Sequence, residues 1–393
     1  MSGVDFLDKL LDGTAVEWKP LGELADIGTG SSNRQDEKEG GAYPFYVRSK
    51  NILNSDTFEF DETAIVIPGE GGIGDIFHYV KGKYALHQRA YRISPKTNLL
   101  HAKFLYHFMT SCFKQYILMK SVGATAVSIR KPMIEDFQIP IPCPDNPQKS
   151  LEIQAEIVRT LDAFTELTTE LTTELTTELT TRKKQYNHYR DQLLSFEGGE
   201  VEWKTLGEVA QYSNTRISAE KLNETNYVGV DNLLQNRAGK SSSSYVPTSG
   251  NLTEYQKNDI LIGNIRPYLK KIWQSDCIGG TNGDVLVLRC TSSSINPRYL
   301  YQVLADDKFF DFNMQHAKGA KMPRGNKEEI LKYQIPVPPP DEQARIVAIL
   351  DKFDALTNSL TEGLPREIGL RQKQYEYYRD LLLSFPKTEG EKV

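Results

Sequence analysis

The chain has 393 residues, 39% of them hydrophobic and 25% charged, with a formal net charge of −5. This suits two or three soluble domains, each with its own core, and excludes a disordered chain. No stretch approaches the roughly 18 apolar residues of a membrane helix. Four scattered cysteines (Cys112, Cys143, Cys277, Cys290) form no C-x-x-C pair, which excludes zinc-ribbon spacings and suits a reduced, cytoplasmic setting. The net acidity argues against a uniformly basic nucleic-acid binder but leaves room for local basic faces.

Residues 1–15 carry acids where an export signal has lysines and an apolar core, so secretion is not expected. A first block spans residues 16–148. It opens on Val16-Glu17-Trp18-Lys19-Pro20-Leu21-Gly22-Glu23, contains a buried-strand pattern at Ala64 (AIVIP) and a helix-like FLYHFM from Phe104, and closes on IPIP from Ile139. Its charge is segregated: residues 16–75 hold 12 acids against 5 bases, whereas residues 76–134 hold 10 Lys/Arg, 4 histidines and no acid. Aromatics (Phe77, Tyr79, Tyr84, Tyr91) interleave with those bases, and a polar glycine loop runs from Gly123 to Lys131. Glycine permits close approach to a nucleic-acid backbone, and Arg130 and Lys131 can then meet phosphates. Arg48, Lys50, Asn51, His87, Gln88 and Arg89 are the candidates for reading base edges, because arginine matches guanine and Asn or Gln matches adenine. A solvated basic face without a ligand is the alternative. Gly69-Glu70-Gly71-Gly72-Ile73-Gly74 fits G-x-G-x-x-G, but DIFHYVKGKY, which follows, is no helix start, so the motif reads as a turn. His101 and His107 stand six apart, a poor metal spacing, and are expected to pack or face phosphate.

Residues 149–200 form a shared segment, proline-free from Ser150 to Phe196, with Ile, Leu and Val at spacings of three and four. As a helix its ~45 residues span roughly 70 Å. Within it, TELT repeats over residues 165–180 place Leu167, Leu171, Leu175 and Leu179 along one i, i+4 ridge. Each unit adds about 6 Å, which points to a spacer whose length matters; a helix surface with a slipped repeat is the alternative.

Residues 201–339 repeat the first block: Val201-Glu202-Trp203-Lys204-Thr205-Leu206-Gly207-Glu208, DILIG from Asp259, DVLVLRC from Asp284, YLYQVL from Tyr299 and IPVP from Ile335. Residues 260–327 carry 10 Lys/Arg against 5 acids. Asn232, Asn264, Arg266, Lys270, Thr281 and Asn282 are its base-reading candidates, and Lys318, Lys321 and Arg324 its phosphate contacts. Residues 340–393 bring back the shared segment. EQARIVAILDKF repeats the stretch ending at Phe164, and RQKQYEYYRDLLLSF from Arg371 repeats RKKQYNHYRDQLLSF from Arg182, both shifted by 189. The two helices are expected to pair antiparallel, the second kinked or broken near Gly363, Pro365 and Gly369; separate packing on their own domains is the alternative. The fold expected is α+β: two similar α/β-mixed domains separated by two long antiparallel coiled-coil helices, an internal pseudo-two-fold. There is no Walker A sequence, no H-E-x-x-H and no D/N/S-P-P-aromatic tetrad, so no catalytic or metal-binding residue is assigned. From residues alone, DNA binding leads a non-DNA scaffold and an enzyme of unrecognised type.

The alternation of variable blocks with IPIPCPDNP, the Q-x-x-I-V-x-x-L-D segments and RxKQYxYYRDxLLSF resembles the specificity subunits of type I restriction–modification enzymes, in the branch with tetrapeptide repeats in the central helix. The likeness runs over essentially the whole chain and is strongest in residues 139–196 and 335–385. It implies that residues 16–148 and 201–339 are target recognition domains, each reading half of a split double-stranded DNA site. It implies that the helices set the gap and carry two methyltransferase subunits, with motor–nuclease subunits joining for restriction. S-adenosylmethionine and ATP/Mg belong to those partners, and this chain holds no cofactor. The TELT run becomes the ruler, Lys184, Tyr186, Tyr189, Lys373, Tyr375 and Tyr378 the partner-docking residues, and the N-terminal FLDKLLDG a segment packed near the C-terminal helix.

Overall fold

The computed structural model describes residues 3–120, 128–196, 201–358 and 363–386. The chain forms two compact units, residues 1–170 with 371–393, and residues 171–370.

In the first unit the strands are β1 (Val16–Pro20), β2 (Ala25–Thr29), β3 (Tyr43–Tyr46), β4 (Leu53–Ser55), β5 (Phe60–Pro68), β6 (His78–Leu86), β7 (Ala90–Pro95) and β8 (Gln138–Pro142). Six of them make one sheet in the order β2-β7-β5-β6-β3-β4, antiparallel except for the β3–β6 pair. The AIVIP run is continuous because β5 is covered on both faces. Ile65 and Ile67 join the core under helix Ala102–Lys120, while Ala64 and Val66 join Val80, Tyr84 and Leu86 in a second cluster. That helix buries Phe104, Leu105, Phe108, Met109, Phe113 and Ile117 along one stripe. β1 and β8 form a separate ribbon with Trp18 opposite Pro140. Prolines are tolerated there because a two-stranded ribbon leaves each strand a free edge.

Helix Pro147–Leu193 begins where Asn146 Oδ1 accepts from the Lys149 amide at 3.1 Å and proline takes the first position. Its first part buries Ile153, Ile157, Val158 and Leu161 in the same core as Leu7 and Leu11 of helix Gly3–Leu11 and Leu382, Leu383 and Phe385 from the other end of the chain. Phe385 meets Phe104 edge-on at 5.8 Å, and Trp18 Nε1 donates to the Pro386 carbonyl at 3.0 Å. The end of helix Gly363–Leu382 runs antiparallel to this first part: Phe164 stacks on Tyr378 at 5.8 Å, and Thr165 Oγ1 lies 3.0 Å from the Tyr375 hydroxyl.

The second unit contains β9 (Glu202–Thr205), β10 (Ala210–Tyr212), β11 (Arg216–Ser218), β12 (Tyr227–Val228), β13 (Asn251–Tyr255), β14 (Ile260–Gly263), β15 (Ile272–Gln274), β16 (Gly279–Thr281), β17 (Val285–Cys290) and β18 (Gln334–Val337). The counterpart of the long β5–β6 ladder is split in two, giving sheets β10-β17-β14-β15 and β11-β13-β16-β12. A turn at residues 256–259 divides it: Asn258 is left-handed (φ 74°), and the buried Asp259 accepts from the Gln256 amide at 2.8 Å and from Arg289 Nη2 at 2.7 Å. Helix Pro297–Leu304 plays the part of Ala102–Lys120, and β9–β18 repeats the ribbon.

The shared segments perform matched tasks in the two units. Gln154 holds the His101 amide (2.8 Å) and the Leu99 carbonyl (2.7 Å); Gln343 holds the Asn296 amide and the Ser294 carbonyl (both 2.8 Å). Asp162 binds Lys103 (2.8 Å) and His107 (3.0 Å), and Asp351 binds Arg298 (2.8 Å) and Gln302 (2.7 Å). Tyr189 stacks on Phe353 at 5.3 Å as Tyr378 does on Phe164. His107 is therefore a packed residue of the helix contact. The second shared segment is two helices, Pro340–Asn358 and Gly363–Leu382, rather than one. Gly363 is left-handed (φ 72°), and a Cβ there would stand 2.7 Å from the carbonyl oxygens of Ala355 and Leu356, so only glycine fits.

Candidate nucleic-acid interface

At one end of the six-stranded sheet, the loops around residues 32–34, 47–51, 69–72, 87–89 and 128–130 converge. Ser32 and Glu70 make isolated bridges to His87 and Ser128. The Gly69 amide donates to the Arg89 carbonyl and the Ile129 amide to the Gly69 carbonyl, both at 2.9 Å. Gly71, Gly72 and Gly74 all have positive φ and no helix follows, so the G-x-G-x-x-G match is the turn its sequence predicts. Arg89 Nη1 donates to Glu70 Oε1 at 2.8 Å, and Arg48 pairs with the same oxygen. The hydrogen bond from Arg89 holds the Glu70 carboxyl below its ordinary value. Lys50, Asn51, Gln88, Arg130 and Lys131 are exposed beside or near this cluster, with Lys131 also paired to Glu135. Residues 121–127, the glycine part of the predicted loop, lie outside the described residues. His87 is buried; its Nδ1 accepts from the Arg89 amide at 3.0 Å, so it orders the loop instead of offering a free edge.

The second unit builds the same frame from different residues. The Asn264 amide donates to the Asp284 carbonyl (2.8 Å) and the Gly325 amide to the Asn264 carbonyl (3.1 Å), reproducing the Gly69 contacts, and Ile265 bridges Arg324 as Glu70 bridges Ser128. The position of Arg89 is thus held by Asp284, which pairs with Arg324 Nη1 at 3.0 Å. Arg266, Lys318, Lys321 and Arg324 are exposed, and Asn282 is half-buried, capping Asp284. Non-glycine left-handed residues gather alongside: Asn236 (φ 54°), Arg237 (64°), Arg266 (53°) and Lys270 (51°). The Asn236 and Arg237 amides bond the Leu269 and Lys270 carbonyls at 2.9 and 3.0 Å, and Arg237 and Lys270 share Asp307. Burial pushes the Arg237 guanidinium down to about 10.

Three base-reading candidates of this domain are corrected by burial. Asn232 is spent on the Gly229 amide (2.6 Å) and the Tyr227 and Ser241 carbonyls, and Thr281 on the Val228 carbonyl (2.5 Å); Asn264 is buried beneath Gly325. Asn232 and Thr281 are framework side chains, Asn264 is enclosed with its Oδ1 unpartnered, and Lys270 is half-committed through Asp307. Sequence reasoning missed Glu70, Asp284 and Asp307, the acids that pre-pair the interface arginines and lysine; an acid inside a glycine turn was the available signal for the first.

A model of the type I restriction modification DNA specificity domain matches residues 15–181 and again residues 199–370. The chain belongs to this family. The EcoR124I/EcoR124II specificity subunit of Escherichia coli is 35% identical, with 99% of each chain covered. A putative type I specificity subunit of Haemophilus influenzae is 33% identical over 97% of this chain and 98% of its own. Among solved structures, a chain of a type I restriction–modification system described for its complex assembly and conformational transition has a TM-score of 0.60 at 15% identity, covering 94% of this chain and 97% of its own. The type I S subunit of M. genitalium gives 0.50 at 16%, covering 96% and 98%. These likenesses are of fold. This specificity subunit is accordingly a DNA-recognition component and not a catalytic one. Among the described residues no group of three or more His, Cys, Asp or Glu side chains is placed to hold a metal ion, and no helix is long and apolar enough to cross a membrane.

On the shared helices of this specificity subunit, Lys184, Tyr189 and Lys373 are exposed, and Tyr375 and Tyr378 are half-buried against the first part of the long helix. Tyr186 is corrected: it is 2% exposed, stacks on Phe353 at 5.9 Å and bonds Gln302, so it cannot meet a partner. In the TELT run Leu171, Leu175 and Leu179 are half-buried while Leu167 is 52% exposed, so the ridge is covered from Leu171 onward. In this helix the hydroxyls of Thr165, Thr169, Thr176, Thr177, Thr180 and Thr181 donate to carbonyls four residues back, which gives them partners without adding to helix stability.

Proposed function

We propose that each recognition domain of this specificity subunit reads one half of an asymmetric, split DNA site, and that the TELT-bearing helix fixes the gap between the halves. Two methyltransferase subunits that bind S-adenosylmethionine dock on the shared helices and methylate adenine N6 in each half; motor–nuclease subunits using ATP and Mg add restriction, in the cytoplasm. The observation carrying this reading is the shared loop frame with exchanged charges, Glu70, Arg89 and Ser128 in one domain against Ile265, Asp284 and Arg324 in the other. Equal backbones bearing unequal side chains suit two different half-sites in one binding mode.

The test is a genome-wide map of methyladenine in cells expressing this chain with a cognate methyltransferase, before and after deleting one TELT unit. Removing four helical residues shortens the helix by about 6 Å, close to two base-pair steps. The expected result is a split motif whose halves persist while the gap contracts. A motif that does not depend on this chain overturns the specificity role, and an unchanged gap overturns the ruler.

A further inference from the structure

The G-x-G-x-x-G turn, useless as a dinucleotide motif, presents one carboxylate to two arginines on a face otherwise suited to DNA. Its backbone is pinned: Gly69 bonds Arg89 and Ile129 on either side, and Glu70 bridges Ser128. The positive φ values of Gly71, Gly72 and Gly74 (68°, 65° and 75°) let the chain reverse immediately after the acid. Arg89 is likewise held, its amide donating to His87 Nδ1 at 3.0 Å. Both guanidinium groups are solvent-facing, with side chains 45% (Arg48) and 60% (Arg89) exposed, and both converge on one oxygen, Glu70 Oε1. A cavity of about 300 Å³ opens beside them, lined by Arg34, Arg48, Ser49, Glu70 and His87.

We propose that Glu70 is a built-in competitor for DNA, holding Arg48 and Arg89 in the free chain and releasing them only to a target that offers each arginine its own acceptors. This rests on reading the first block as a DNA recognition domain. Two guanidiniums sharing one exposed carboxylate oxygen make a weak contact, whereas a guanine edge or a phosphate offers each a bidentate partner. A duplex that fails to engage the arginines instead meets the negative charge of Glu70, which repels its phosphates. The carboxylate therefore trades indiscriminate affinity for selectivity. The second domain carries the same device inverted: Asp284, at the place of Arg89, pre-pairs Arg324 at 3.0 Å.

The experiment uses the full chain in complex with its methyltransferase and two duplexes, one bearing the mapped motif and one with the first half scrambled. Glu70→Gln keeps the shape and removes the charge. It is expected to raise affinity for the scrambled duplex about tenfold at low salt, and to steepen its salt slope by about one to two as two arginines become free for phosphates. Affinity for the intact motif rises less, by no more than the cost of breaking the weak Glu70 pairing, so selectivity for the first half falls. Glu70→Asp, which keeps the charge, stays near the parent, and Glu70→Gln placed on Arg48→Gln/Arg89→Gln gains much less than it does alone, because only the direct repulsion of phosphates is left to relieve. Scrambled-duplex affinity unchanged or weakened in Glu70→Gln overturns the proposal. A parent complex that does not distinguish the two duplexes overturns the recognition reading itself, and the competitor role with it.

Discussion

Replacing Arg190 by alanine tests the claim that one repeated motif does different work in the two halves. Arg190 and Arg379 are the same residue of the YRD repeat, yet Arg190 is 3% exposed. Its guanidinium lies 4.2 Å from the Tyr186 ring and donates to Gln302 Oε1 and the Ala305 carbonyl, both at 3.2 Å, and to the Tyr186 hydroxyl. Charge-assisted bonds are worth about 1.5–3 kcal/mol each. Removing the cation regains several kcal/mol of its desolvation. The groups left behind keep partners, since the Ala305 carbonyl also accepts from Arg237 and Gln302 Oε1 from Tyr186. The net cost is then about 2–4 kcal/mol, which for a unit of this size lowers the melting temperature by roughly 5–15 °C. Arg379, with its side chain 19% exposed, is paired with Asp380 at 2.8 Å, a carboxylate 58% exposed, so Arg379→Ala costs less, about 1 kcal/mol. Calorimetry and urea unfolding of the full-length chain measure both. Equal shifts for the two variants, or no shift for Arg190→Ala, refute the argument.

Two further outcomes are expected. Burial holds His107 below its ordinary value even though Asp162, 3.0 Å away, pulls it up. The folded state therefore favours the neutral ring, and its stabilisation, complete above the unfolded value of about 6.5, is lost as pH falls below it. His107→Gln, which copies Gln302 of the other half, reduces the acid-side loss of stability, measured as urea midpoints near pH 7.5 and pH 5.5. Burial also depresses His78, His87 and His101, so a residual slope remains. Gln154→Ala and Gln343→Ala each take the side-chain partner from a partly buried amide and carbonyl and cost about 1–3 kcal/mol in their own units; unequal costs would contradict their matched bonding.

The organisation was legible because duplication is visible without coordinates. The 189-residue shift marks the shared segments, proline-bounded and periodic, and AIVIP, DILIG and DVLVLRC are strands because long apolar runs of that length are buried on both faces. The break in the second helix was signalled by Gly363, whose conformation and crowding admit no side chain. Individual interface residues were far less legible. Polar residues in loops look alike in sequence whether they close a turn, as Asn232 does at the Gly229 amide, or stand in solvent, as Arg266 does.

The sequence by itself determined the doubling of the chain, the α+β class, the long helix with its TELT run, and the basic stretches within the recognition blocks. Those are properties of periodicity and composition, which local chemistry writes directly into the order of residues. Only the tertiary structure decided that Thr281 and Tyr186 are buried, that Asp284 stands where Arg89 does, and that Arg48 and Arg89 meet one carboxylate. Burial and pairing depend on which distant segments converge. Residues 48, 70 and 89 come together only because the end of β3 lies beside the end of β6 (Tyr46 opposite Leu86) and the end of β5 beside the start of β7 (Pro68 opposite Ala90), with residues 87–89 joining the two.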